Sequence, residues 1–84
     1  MTKQATKKQI IEAQASTIFH LMNKAMSAAI EADKSAQKGE INITASYLMD
    51  LAPLAESIKT LADSTLTLHR TLKEEEYQHE NFTN

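Results

Sequence analysis

The chain has 84 residues, a formal net charge of −2 and no cysteine. That length allows one domain, the lack of thiols excludes disulfides and zinc–thiolate sites, and the charge exerts no overall pull toward nucleic acid. One glycine and one proline leave few places to turn, so the pattern predicts a few long elements rather than many short ones.

Residues 1–9 read MTKQATKKQ, a polar start with no apolar core of a signal peptide behind it. No apolar run approaches the ~20 residues of a spanning helix. A cytoplasmic protein with no membrane association is the expectation. A chain this short buries a small core, and such chains commonly draw stability from a second chain.

The first predicted element is a helix over about 6–38, rich in alanine and in the long unbranched side chains that favour helix. Ile11, Ala15, Ile18, Met22, Ala25, Ala29, Ala32 and Ala36 step by four and three without a break, the spacing of a helix that lies along another helix. Phe19 and Met26 widen this seam on one flank, Leu21 and Ala28 on the other. The apolar arc spans roughly 160° at 100° per residue. Overfilling is expected if Ala29 in the seam becomes leucine. Lys38 suits the helix dipole, and Gly39 is a natural left-handed stop.

Residues 39–43 read as a turn, with Thr44 as N-cap of the next helix and Ile43 with Leu48 as a hydrophobic staple; Asn42 is the alternative cap. The second helix spans about 44–76. Its seam is Tyr47, Leu51, Leu54, Ile58, Leu61, Thr65, Leu68 and Leu72, widened by Leu48, Ala55 and Ala62 and further by Ala52 and Leu66. This arc is also about 160° wide. Pro53 is the only breaker and is read as a kink; the alternative is a short helix over 44–51 followed by a separate one. Residues 77–84 read as a polar tail.

The fold class is therefore all-α: an antiparallel two-helix hairpin with a Pro53 kink in the second helix. Pairing about the turn sets Lys7 beside Glu75 and Lys8 beside Glu74, cations and anions that would each oppose their own helix dipole. A helix with one neighbour needs only a narrow stripe, so arcs this wide imply more partners. The economical solution is a homodimer forming a four-helix bundle, with another protein as the competing occupant and a monomer with a folded-back tail as the alternative. The expected dimer or partner interface comprises Ile11, Ala15, Ile18, Phe19, Met22, Met26, Leu51, Leu54, Ile58, Leu61 and Leu68.

Little in the chain carries catalytic chemistry. His20, His69 and His79 lack the helical spacing of a paired metal site. Glu76 and His79 match Glu-x-x-His once, where a di-iron bundle needs the motif twice. Thr65 and His69 are one turn apart, with no carboxylate beyond to orient the imidazole. No enzyme, cofactor or metal site is expected. The expected role is a stoichiometric regulator or adaptor acting by helix-mediated protein binding. The alternative is a dimeric RNA- or DNA-binding regulator whose contacts are Lys3, Lys7, Lys8 and Lys24, since phosphate contacts need clustered positive charge.

Overall fold

The structure is a computed structural model and describes residues 5–83, with side-chain surroundings through Gln78. Two long helices form a hairpin: α1, Lys7–Gln37, of 31 residues, and α2, Ile41–Thr83, of 43. The hairpin is a thin slab, with principal extents of 66 × 31 × 14 Å.

Helix α1 opens on a capping box. The Thr6 hydroxyl accepts from the Gln9 N–H at 3.1 Å, and the Gln9 side chain accepts from the Thr6 N–H at 2.9 Å. Two donors that a helix start leaves unpaired are thereby satisfied. At the other end Gly39, at φ +76°, closes a Schellman turn. The Glu40 N–H donates to the Ser35 carbonyl at 2.9 Å and the Gly39 N–H to that of Ala36 at 3.0 Å. Nothing lies within 4 Å of where a Gly39 Cβ would sit. Gly39→Ala should therefore cost about 1–2 kcal/mol from left-handed backbone strain alone, read as a lower urea midpoint at fixed protein concentration.

The connection is shorter than residues 39–43. Helix α2 begins at Ile41, so Thr44 is a first-turn residue rather than the cap. Its hydroxyl donates back to the Glu40 carbonyl at 3.0 Å and lies 2.7 Å from Ser35 Oγ. The reason is steric economy: the Schellman turn reverses the chain within three residues, and Thr44 becomes the last layer between the helices. At its far end α2 continues to Thr83, past the expected boundary near residue 76. No glycine or proline follows Pro53 to stop it.

The α2 seam is the expected one. Tyr47, Leu51, Leu54, Ile58, Leu61, Thr65, Leu68 and Leu72 are all half-buried. The α1 seam is rotated by about 50° from the expected one at 100° per residue. Ile11, Ile18 and Ala25 are half-buried and Ala32 is buried, but their companions are Gln14, Leu21, Ala28 and Ser35. Ala15, Met22, Ala29 and Ala36 are exposed. A leucine at Ala29 thus adds bulk to an open face instead of overfilling the hairpin.

Two hydrogen-bonded pairs lock this rotation. Thr65 Oγ1 lies 2.8 Å from Gln14 Oε1 and 2.7 Å from the Leu61 carbonyl; its single proton serves one of the two at a time. Ser35 and Thr44 form the second pair. Both pairs have the same register, and extending it along the seam sets Ile11 level with Leu68, Ile18 with Leu61, Leu21 with Ile58, Ala28 with Leu51 and Ala32 with Tyr47. Beyond it Lys7 pairs with Glu75, as expected; Lys8 is exposed.

Helix α2 runs through Pro53 without a break, so the separate helix over 44–51 is not formed. Proline has no N–H to give the carbonyl one turn back, that of Met49.

Candidate interaction face

Reversing the direction of a right-handed helix mirrors its flanks. In an antiparallel pair, the residues that follow the seam clockwise on α1 therefore share a side with the equivalent residues on α2. That side carries Ala15, Phe19, Met22, Met26 and Ala29 from α1, with Leu48, Ala52, Ala55 and Leu66 from α2; Lys8, Asp33, Lys59 and Lys73 interrupt it. The other side carries Thr17, His20, Lys24, Ser27, Glu31, Asp50, Ser57, Thr60, Ser64 and Thr67. The slab thus has one apolar and one polar broad face.

The apolar side chains are open to solvent: Phe19 is 63% exposed, Met26 59%, Leu66 54%, and Met22 and Leu48 50% each. Isolated exposed hydrophobics are ordinary, but a contiguous face of them marks an interaction surface. The interior between the helices is correspondingly thin. Among the described residues only Ala32 and Ser35 are buried, at 5% exposure each.

The expected interface residues consequently divide. Ile11, Ile18, Leu51, Leu54, Ile58, Leu61 and Leu68 are half-buried within the hairpin itself, whereas Ala15, Phe19, Met22 and Met26 are exposed on its apolar face. Leu48 and Leu66 belong with the second group; the width of the α2 arc was the signal for them. Gln14 and Ser35 were passed over because polar residues do not register in an apolar pattern.

The lysines do not converge. Lys7 is paired with Glu75. Lys8 and Lys24 are exposed and project from opposite broad faces. Lys3 lies outside the described residues.

Comparison of the chain with protein-family models, with curated proteins and with solved structures finds no match.

The chemistry of the face must therefore be read from its own atoms. His20 is exposed and meets the adjacent Phe19 ring edge-on, centroids 5.8 Å apart. His69 is exposed, and the Thr65 hydroxyl is engaged with Leu61 and Gln14. Among the described residues no group of three or more His, Asp or Glu side chains is placed to hold a metal ion, and the His79 side chain lies outside them. A shallow, open depression on the polar side, by Pro53, is lined by Leu21, Glu56, Ser57, Thr60 and Leu61, with Glu56 its single ionisable side chain. No helix among the described residues is long and apolar enough to cross a membrane. What the arrangement offers is apolar surface at helical spacing, suited to another helix.

Proposed function

We propose that this chain is a small non-enzymatic interaction protein, a stoichiometric regulator or adaptor that acts by helix-mediated binding and assembles as a homodimeric four-helix bundle in the cytoplasm. The observation that carries this reading is the imbalance of the hairpin. Among the described residues, helices of 31 and 43 residues fully bury only Ala32 and Ser35, half-bury a single seam between them, and leave one broad face largely apolar. Most helical stability comes from packing an apolar face rather than from propensity, so a hairpin this thin is stable when that face is covered. The lack of cysteine fits a reducing compartment. The second reading, nucleic-acid binding through Lys3, Lys7, Lys8 and Lys24, is weakened by the pairing of Lys7 with Glu75.

In this reading Pro53 kinks α2 around Met49–Pro53, curving the slab. Pro53→Ala restores the missing hydrogen bond and should stabilise the protein by up to about 3 kcal/mol, seen as a raised thermal midpoint.

Affinity capture from native extract, followed by reconstitution with the purified partner, tests the role. A complex of fixed stoichiometry is expected. Recovery of the chain alone would reduce it to a structural bundle subunit. Retention that is nuclease-sensitive and falls steeply with salt would support the nucleic-acid reading instead.

A further inference from the structure

We infer that the apolar face is covered by a second copy of the chain stacked with both Gly39 turns at the same end, so that α1 of each copy lies on α2 of the other. This rests on the dimer proposed above and specifies its geometry. The area supports a second copy. The hairpin exposes 6892 Å², where a compact monomer of its 9.4 kDa mass would expose about 5,000 Å². A standard interface needs about 800 Å² from each partner, well within the excess.

Two elongated slabs can stack face to face about a two-fold axis in two ways, turns together or turns apart. Side-chain size separates them. The α1 half of the face is bulky in the middle, with Phe19, Met22 and Met26, and small at its ends, with Ala15 and Ala29. The α2 half is the reverse. Carried along the register of the hairpin, Ala52 and Ala55 lie within two residues of the levels of Met26 and Met22, and Leu66 and Leu48 within two of those of Ala15 and Ala29. Turns together, the α1 ridge enters the alanine trough of the other copy and its end leucines meet alanines, which is ridge-into-groove packing. The stem of Lys59, level with Phe19, can lie along the ring with its ammonium in water. Turns apart at full overlap, Met22 meets Met22 and Phe19 meets Met26, so bulk meets bulk on α1, while Lys59 of each copy falls on the alanines of the other copy's α2 and fills them less well than the apolar ridge.

Charge separates the two stackings less than size does. Turns apart, Glu12 of each copy comes level with Asp33 of the other on stacked α1 helices, two like-charge contacts that disfavour the pairing. Turns together, Glu12 falls beside His69 of the second copy and the acid pairs are separated, while Lys8 comes level with Lys73 at the open end, where both long stems can carry their ammonium groups into water.

The distance between the turns is the test. The chain has no cysteine, so Lys38→Cys, at an exposed position, carries a single spin label. At 1.5 Å rise per residue, turns-apart stacking centred near Met22 separates the two labels by about 50 Å. Turns-together stacking keeps them within the bundle cross-section, about 25 Å for helices 8–10 Å apart. Dipolar spectroscopy on the labelled full chain, with sedimentation in parallel, should give the short distance on a dimer. A dimer with the long distance would overturn this stacking and leave the dimer standing. A monomer in sedimentation would overturn both.

Discussion

Met22→Glu should turn the dimer into a monomer, lowering the association constant at least 100-fold. Met22 is half-exposed on the hairpin and central to its apolar face. Fully burying such a side chain is worth about 1.5–3 kcal/mol; half of Met22 is already covered on the hairpin, and a symmetric interface loses the other half twice. That loss of about 1.5–3 kcal/mol corresponds to roughly 10–10² in affinity, and the cost of burying a carboxylate on each copy takes it past 100-fold. Met49→Glu is the control, because Met49 is 74% exposed and projects away from both the seam and the face. It should sediment as the parent does. Equal association for parent and Met22→Glu would show that the face is not the contact.

Ala32→Leu tests the other interface, the one inside the hairpin. Ala32 is buried, one turn before Ser35, and the register of the Ser35–Thr44 pair sets it at the level of Tyr47. Three added carbons there must push the helices apart or force Tyr47 off its rotamer, which costs about 1–3 kcal/mol. The change should lower the thermal midpoint by several degrees at fixed concentration; 1 kcal/mol corresponds to roughly 4–8 °C for a domain of this size. Ala13→Leu makes the same chemical change at an exposed position and should leave the midpoint nearly unaltered. Equal effects at both positions would mean that the seam does not run where Gln14, Leu21, Ala28 and Ser35 place it.

Much of the fold was legible from residue types. The step pattern of α2 named its seam, and Gly39 announced the stop that its positive φ realises. The Lys7–Glu75 pair was readable because each charge is unfavourable on its own helix and favourable across the hairpin. The rotation of α1 was not legible. An apolar arc of about 160° contains more than one four-three seam, and apolar content alone favours the one through Ala15, Met22 and Ala29. The chain uses the seam with two polar members, because Gln14 meets Thr65 and Ser35 meets Thr44. Thr65 was the available clue: a hydroxyl within an otherwise apolar seam needs a partner across it. Thr44 was misread as a cap for the same reason, since its hydroxyl serves the layer between the helices as well as the local backbone.

The division of the interface residues follows from this rotation. Positions read as one arc serve two purposes, with Ile18 and Leu61 holding the hairpin together and Phe19 and Met26 left for a second surface. A wide arc on a helix states how much must be covered, and the rotation decides which part the chain covers itself.

In this reading the hairpin is half of the folded unit. Sedimentation equilibrium of the full chain at micromolar concentration tests it most directly. A species of twice the 9.4 kDa chain mass is expected, with a thermal midpoint that rises with concentration. A monomer that melts cooperatively at a midpoint independent of concentration would contradict it.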